Sequence, residues 1–322
     1  AIGERLDQID FFITSSAARD TLRLMLRAFP DIERSLSRLT LERGGPRDLA
    51  AVRDALMLVP NLRKALEQGA ALDMSAHTIG TLSEGLGQHE ILATRLSRAL
   101  APTPPPFVRD GGFIAQGYSA ALDELVLLRD KSRRLIANLQ ASYREESGVD
   151  SLKVKHNNVL GYFVDVTERN ADKLGEGFIH RQTLASAVRF TTVELGELES
   201  KINSASQKAL DLEAQLFEQL LGETLVQVEE IACLARAAAV LDVASALAQL
   251  AVERHYCRPL IDAGTAFDIH AGRHPVVEAL AEREKQFVAN SCDLGPAQHL
   301  WLVTGPNMAG KSTFLRQNAL IV

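Results

Sequence analysis

The feature that most constrains the fold of this chain lies close to its last residue. Residues 300–303 read Leu-Trp-Leu-Val, and residues 304–313 continue as Thr-Gly-Pro-Asn-Met-Ala-Gly-Lys-Ser-Thr. An apolar run followed by Gly-x-x-x-x-Gly-Lys-Ser is the sequence motif of a phosphate-binding loop, which joins a strand to a helix. Its glycines let successive backbone N–H groups converge on phosphate oxygens. We therefore predict a strand at 300–303, a helix that starts near Lys311 and includes the run from Phe314 to Val322, and an α/β fold around them.

Each position of this loop has a predicted role in binding phosphates. Lys311 supplies a positive charge for β- and γ-phosphates, and the Ser312 hydroxyl is the predicted Mg²⁺ ligand. The positive end of the following helix lies at the same phosphates. The candidate phosphate-binding residues are Gly305, Pro306, Asn307, Met308, Ala309, Gly310, Lys311, Ser312 and Thr313.

The loop lies nine residues from the end of the sequence. A domain of this kind needs several parallel strands joined by crossover helices, and an acidic strand end that holds Mg²⁺. Nine residues cannot supply these parts, and the first residue is Ala1 rather than Met. We therefore expect the sequence to be a fragment of a longer protein, cut inside this domain.

Composition and charge limit the classes of function. The 322 residues are 46% hydrophobic and 24% charged, as in a globular protein that builds its own cores. The net charge of −6 provides no global positive field, so any contact with DNA must be local.

The cysteines and the longest apolar stretch indicate a cytoplasmic protein. Cys233, Cys257 and Cys292 have no metal-ligand spacing and are expected to be reduced thiols. The charged first residues do not form a signal peptide. The apolar stretch 234–252 contains Arg236 and predicts a buried helix rather than a membrane span.

Apolar spacing divides the chain into four predicted segments. Residues 1–145 form a helical core, punctuated by prolines such as Pro60. Residues 146–195 alternate in a β pattern, with a hairpin turn at His156-Asn157-Asn158. Residues 196–256 contain a returning long helix and further core, and residues 257–322 begin an α/β domain. The expected fold class is mostly α, with a small β insertion and the start of an α/β phosphate-binding-loop domain.

The returning helix has a heptad pattern. Its apolar residues, spaced alternately by three and four, are Leu195, Leu198, Ile202, Ala205, Ala209, Leu212 and Leu216. This spacing predicts a seam against another helix, which is the helix that enters the β insertion. An antiparallel pair about 40 Å long with the insertion at its tip is a lever arm, and a plain two-helix bundle with a decorated end fits the same pattern.

These blocks together resemble the MutS family of DNA mismatch-repair ATPases. Gly-Pro-Asn-Met in the phosphate-binding loop, together with Gly-Arg-His-Pro at 272–275, is close to diagnostic of the family. Supporting segments are His180-Arg-Gln-Thr-Leu184, Val159-Leu-Gly-Tyr162, Asp31-Ile-Glu-Arg-Ser35 and Gly112-Phe-Ile-Ala-Gln-Gly-Tyr118. The resemblance spans nearly the whole chain, in the family's order of helical core, β clamp, lever helix and ATPase start.

The resemblance implies an ATP-dependent protein that clamps mismatched double-stranded DNA. It implies ATP or ADP with Mg²⁺ at residues 305–313, Lys311 as the catalytic residue, and Phe287 stacked on adenine. It also implies a homodimer or a heterodimer within the family, a MutL-type downstream repair partner, no membrane, and a location in the bacterial cytoplasm at the nucleoid. His274 is expected to be a structural histidine.

The resemblance assigns DNA contacts to the β clamp, where charge alone does not. Residues 151–208 contain eight Lys and Arg against seven Asp and Glu, a net charge of +1, which is typical of a solvated surface. The candidate DNA-backbone contacts are Asn157, Arg181, Gln182, Ser186 and Arg189.

Departures from the family pattern leave other functions open. The mismatch-reading domain with its Phe-x-Glu wedge, the connector, the magnesium-binding acidic motif and the dimerising helices are not in the sequence, and Ala309 stands where the family usually has Gly. We expect this chain alone to hydrolyse no ATP and to bind nucleotide weakly at best. The alternatives are a recombination-type relative that binds DNA junctions, a coiled-coil structural ATPase, and a DNA-binding scaffold with an inert loop.

Overall fold

The computed structural model of the chain describes residues 2–70, 76–157, 159–281 and 287–322. The chain divides into two compact units, residues 1–256 and residues 257–322. Most described residues are helical, and the strands form small antiparallel sheets. This confirms the expected mostly α fold class with a small β insertion.

The first unit begins with a body of short and medium helices. These are α1 (Ile2–Thr14), α2 (Ser16–Leu26), α3 (Ile32–Thr40), α4 (Pro46–Ala70), α5 (Ala76–Gly85) and α6 (Glu90–Ala99). Helix α3 starts at Asp31 because its carboxylate accepts a hydrogen bond from the Arg34 N–H at 3.0 Å. Helix α4 continues through Pro60, contrary to the expected break. Burial of Leu56 and Leu62 on either side of the proline offsets the missing N–H.

Two long helices, α7 (Ala120–Ser147) and α9 (Val193–Val226), pack side by side and run antiparallel, because the chain leaves along one and returns along the other. Helix α7 ends at Gly148, which adopts a left-handed conformation. Helix α9 starts at Thr192, whose hydroxyl accepts from the Leu195 N–H and lies 2.6 Å from the Tyr143 hydroxyl of α7. With 34 residues, α9 is about 50 Å long, which exceeds the predicted length.

The buried face of α9 follows the predicted heptad only over its first half. The heptad positions up to Ala209 are buried, whereas Leu212 and Leu216 are only partly buried. The buried positions beyond Ala209 are Glu213, Phe217, Leu220 and Thr224. A straight helix of 3.6 residues per turn drifts away from a 3.5-residue repeat, and the drift brings the Glu213 carboxylate into the core.

The β insertion between α7 and α9 is a four-stranded antiparallel sheet in the order β1-β2-β4-β3. Its elements are β1 (Lys153–Asn157), β2 (Gly161–Val166), the short helix α8 (Glu168–Ala171), β3 (Ile179–Thr183) and β4 (Val188–Thr191). Val164 and Val188 pack with Leu195 and Ile202 of α9 and Ile136 of α7 in a small core of their own. The sheet is therefore attached to the ends of the long helices through apolar contacts.

The last helix of the first unit, α10 (Val228–Arg254), is long and apolar enough to cross a membrane by length and composition alone. Within its most apolar window, 44% of the helix is buried inside the molecule. Ile231, Leu234 and Leu241 belong to the main core of the unit. This packing is that of a core helix, as expected from the sequence.

The second unit contains β5 (Phe267–Gly272), α11 (Pro275–Leu280), β6 (Asn290–Leu294) and α12 (Lys311–Ile321). Strands β5 and β6 pair antiparallel, with Ile269 opposite Cys292. The predicted helix after the loop is formed as α12, but the predicted strand at 300–303 is not, and Leu300 and Leu302 are exposed. A strand of a parallel sheet forms only between neighbouring strands, and the described part of this unit places none beside it.

Candidate nucleic-acid interface and phosphate-binding loop

The register of the sheet separates the five predicted DNA contacts into two groups. Strand β2 pairs with β4 so that Val166 is opposite Val188, at the end of the sheet where the β3–β4 loop lies. The β1–β2 turn lies at the other end, because β2 begins there. Asn157 is thus at one end, whereas Arg181, Gln182, Ser186 and Arg189 belong to β3, β4 and the loop that joins them.

Arg189 contacts three neighbouring side chains within the sheet. Its Nη1 donates to Gln182 Oε1 at 3.0 Å, and its Nε is 3.6 Å from Asp165 Oδ1. Its guanidinium stacks over the Phe163 ring at 4.5 Å, and Asp165 also pairs with Lys155 at 2.5 Å. Only 23% of the Arg189 side chain is exposed. The charge of Arg189 is therefore compensated, and its side chain joins β2, β3 and β4.

Arg181 lies beside this network and is free of it. The register shifts between His180 and Gln182, so Arg181 is the extra residue of a β-bulge on β3. All five residues of β3 are exposed, and the strand forms an edge of the sheet. Within residues 2–70, 76–157, 159–281 and 287–322, Arg181 has no ion-pair partner.

The remaining two predicted contacts lie in turns. The Asn157 side-chain oxygen accepts from the N–H groups of Val159 and Leu160 at 2.9 and 2.7 Å, which closes the β1–β2 turn. Asn158, which the sequence placed in the same turn, lies outside the described residues. Ser186 is exposed in the β3–β4 loop, which the Leu184 N–H closes by donating to the Ala187 carbonyl at 2.8 Å.

Residues 304–313 of the second unit form the predicted phosphate-binding loop. Their backbone has the positive φ angles that the two glycines of the motif allow. Gly305 and Gly310 adopt φ values of 151° and 87°, which glycine tolerates best, and Met308 also has a positive φ of 68°. Lys311 Nζ donates to the carbonyl oxygens of Gly305 and Pro306 at 2.5 and 2.6 Å. The lysine therefore folds back over the loop and holds it closed.

The start of α12 offers donors for an anion. The helix begins at Lys311 after Gly310, which has no side chain to cap the first N–H groups. Ser312 is exposed and Thr313 is half-buried in the same turn, while Asn307 and Ala309 are exposed in the loop. The residues present fit a phosphate bound at the helix start, with a serine hydroxyl beside it for a hard cation.

The two flanking positions have different surroundings. Phe287 is half-buried beside the unpaired stretch before β6. His274 is buried, and its Nδ1 accepts from the N–H groups of Val276 and Val277 at 3.3 Å each, so that it caps α11. This is the structural role expected of His274.

Three acidic residues of the sheet and of helix α9 have structural roles that the sequence pattern did not predict. Asp165 neutralises two basic residues of the sheet, and the strand alternation that places it opposite Arg189 was the available signal. Glu199 and Glu213 of α9 accept hydrogen bonds from backbone N–H groups of distant segments. Glu213 follows the heptad position Leu212, so the sequence pattern predicts an exposed side chain. Its burial is explained only by the drift of α9 away from the heptad repeat.

Comparison with known proteins assigns the central segment to a family model. The model for MutS family domain IV matches residues 117–208, which comprise α7, the four-stranded sheet and the first half of α9. Proteins named DNA mismatch repair protein MutS are similar over the whole chain: that of Rhodopseudomonas palustris strain BisA53 is 49% identical over 333 aligned residues, covering 100% of this chain. Those of Bradyrhizobium sp. strain ORS 278 and Nitrobacter hamburgensis are also 49% identical, over 99% and 100% of the chain. The chain spans 36% of the length of each of these relatives.

Proposed function

Since this chain belongs to the MutS family, we propose that it is the core and clamp portion of a DNA mismatch repair protein, followed by the start of its ATPase domain. The observation that carries the proposal is the domain IV match, because it falls on α7, the sheet and the first half of α9. The relatives named for mismatch repair are similar along the entire chain, which supports the same function for the surrounding segments.

The sheet is the proposed grip on duplex DNA. Arg181 on the exposed edge strand and the Ser186 hydroxyl in the adjoining loop are donors suited to phosphate oxygens. Contacts of this type hold a protein on the duplex without reading its sequence. Gln182, Arg189 and Asn157 act through the sheet, since their side chains are already hydrogen-bonded within it.

DNA binding is tested by fluorescence anisotropy of a labelled duplex at increasing salt concentration. Contacts with phosphates release counterions, so the logarithm of the binding constant should fall linearly with the logarithm of salt, by about 0.9 per phosphate contacted. Binding that does not respond to salt would contradict a backbone grip.

The second unit contains the proposed nucleotide-binding site of the same protein. Gly305 to Thr313 would hold the phosphates of ATP or ADP, with Lys311 on the β- and γ-phosphates and Ser312 on Mg²⁺, and Phe287 would stack on adenine. Bound Mg²⁺ would neutralise phosphate charge. In the whole protein, nucleotide state would change the position of the lever helices and so the grip on mismatched DNA.

The proposal extends to the partners of the whole protein, which would be a homodimer or a heterodimer within the family. It would act with a MutL-type downstream repair protein in the bacterial cytoplasm, at the nucleoid.

The nucleotide site is tested by titrating the chain with fluorescent ADP in the presence and absence of Mg²⁺. Lys311→Ala should abolish binding, because the lysine charge faces the phosphates. Arg316→Ala removes an exposed charge from the same helix away from the loop and should leave binding intact. Equal binding by the Lys311→Ala variant and the native chain would contradict the assignment.

A further inference from the structure

The loop before α7 forms a concave cluster of backbone N–H groups. Gly111 and Gly112 both adopt left-handed conformations, with φ values of 65° and 73°. The N–H groups of Gly112, Phe113 and Ile114 consequently point to one side. Backbone cavities of this kind bind anions, and here the anion is the Glu213 carboxylate of α9. Its oxygens accept from these three N–H groups at 2.8, 3.1 and 3.2 Å.

Glu213 is buried, with 5% of its surface exposed. A buried carboxylate is tolerated only where hydrogen bonds replace its hydration, and the three N–H groups supply them. The loop is in turn fixed to the end of α6, because the Ala101 N–H donates to Phe113 O and the Ala115 N–H to Ala99 O, both at 2.8 Å. Glu213 therefore ties the middle of α9 to the helical body.

A second glutamate ties the same helix to the sheet. Glu199 Oε2 accepts from the Tyr162 N–H at 3.3 Å at the start of β2. The neighbouring Gly161 has a positive φ of 69°, and a Cβ there would overlap the Glu199 carboxylate. Glu199 and Glu213 are 14 residues apart in one continuous helix, which corresponds to about 21 Å along its axis. The helix is thus attached by carboxylates at two points, one in the body and one at the sheet.

We propose that Glu213 is a positioning residue that sets the orientation of α9 on the helical body, and thereby the placement of the sheet on DNA. The inference rests on the proposed function only in its last step, the contact of the sheet with DNA. A rigid helix transmits any rotation at Glu213 to its far end, where Glu199 holds the β1–β2 turn. Loss of the attachment leaves the sheet intact but lets it adopt several orientations relative to the helical body. DNA binding then has to select one of these orientations, and the lost conformational freedom weakens the affinity.

Apolar packing alone does not supply this attachment. The core contacts of α9 beyond Ala209, such as Phe217 and Leu220, are non-directional and tolerate small rotations of the helix. Three hydrogen bonds to a single carboxylate fix both the rotation and the axial position of the helix. The Arg95–Glu223 ion pair also joins α6 and α9, but it is more than one-third exposed on both sides.

Glu213→Gln is the direct test, because it keeps the shape of the side chain and removes its charge. The amide presents at least one N–H to a backbone donor, so amide hydrogen exchange at residues 112–114 should accelerate about tenfold. Exchange in β1 to β4 should be unchanged. Duplex affinity should fall about fivefold in fluorescence anisotropy. Glu218→Gln, an exposed glutamate on the same helix, is the matched control and should change neither quantity.

A glycine pair provides an independent test. Alanine at Gly111 places its Cβ 2.7 Å from Leu210 Cδ2 and 2.9 Å from Glu213 Oε2, whereas alanine at Gly112 meets nothing within 4 Å. Both residues have a positive φ, so both variants carry similar backbone strain. Gly111→Ala should therefore weaken duplex binding several-fold more than Gly112→Ala.

The outcomes separate this inference from the proposed function. Faster exchange at 112–114 with duplex affinity reduced in Glu213→Gln supports the positioning role. Unchanged affinity in Glu213→Gln, beside a native chain that binds DNA, overturns it. Equal loss of exchange protection throughout the sheet also overturns it, because Glu213 would then only stabilise the fold. No DNA binding by the native chain overturns the proposed function, and the placement on DNA with it.

Discussion

Two arginines of the same sheet differ in what surrounds their charge. Arg189 lies between Gln182, Asp165 and the Phe163 ring, and its charge is compensated by the carboxylate. Arg181 protrudes from a β-bulge on an exposed edge strand. An exposed, uncompensated guanidinium retains its full attraction for a phosphate, whereas a compensated one first has to lose its partner. At the scale of single residues, Arg181 is the better candidate for DNA contact.

Arg181→Ala should weaken duplex binding and reduce the salt slope by about one, because one phosphate contact is lost. Arg27→Ala removes an exposed charge from the helical body, so this control variant has the same net charge as Arg181→Ala. It should have little effect on duplex binding. Anisotropy titrations at several salt concentrations measure both. A slope that is the same for the Arg181 and Arg27 variants would remove Arg181 from the interface.

At the scale of elements, helix α9 is joined to α6 through a bidentate ion pair. Arg95 Nε and Nη2 donate to the two carboxylate oxygens of Glu223 at 3.1 and 3.2 Å, and the guanidinium also lies over the Tyr118 ring. The hydrogen bond with Arg95 lowers the pKa of Glu223, and partial burial opposes the shift. The same pair raises the pKa of Arg95.

This pair predicts a pH-dependent contribution to stability. A carboxylate whose pKa is lowered by folding stabilises the protein above its unfolded pKa, and the contribution disappears as the pH falls through the folded pKa. Glu223→Gln should therefore lower the free energy of unfolding by up to about 1 kcal/mol at neutral pH, with the difference vanishing in acid. Urea denaturation of the native chain and of Glu223→Gln, at neutral pH and in acid, measures this difference in the free energy of unfolding. A double-mutant cycle with Arg95→Gln isolates the pair, and a difference that persists in acid would assign the effect to packing.

The sequence allowed most elements to be predicted, with limits that have physical causes. Helix α9 could be predicted from its heptad pattern, and the sheet from its alternating pattern, since both patterns arise from local periodicity. The burial of Glu213 was not predicted, because it depends on the drift of α9 and on the positive φ angles of Gly111 and Gly112. The strand expected at 300–303 depended on neighbouring strands, which a local pattern cannot supply. The grouping of Arg181 with Ser186, apart from Asn157, required the sheet register.

At the scale of the whole molecule, the first unit joins a helical body to a sheet through two long helices, and the second unit contains the proposed phosphate-binding loop. The family model matches α7, the sheet and the first half of α9, and the similarity to the relatives extends over both units. The chain spans 36% of the length of the first of these relatives. The separable activity that we expect of this chain is a grip on the DNA backbone.

The most direct test of this account is the affinity of the native chain for two labelled duplexes, one fully paired and one with a single mismatch, measured from about 50 to 200 mM salt. We predict similar binding to both, because phosphate contacts do not read bases. We also predict affinity at least tenfold weaker at the higher salt, which corresponds to two or more phosphate contacts. Absence of binding at low salt, or affinity independent of salt, would contradict the assignment of the sheet as a DNA clamp.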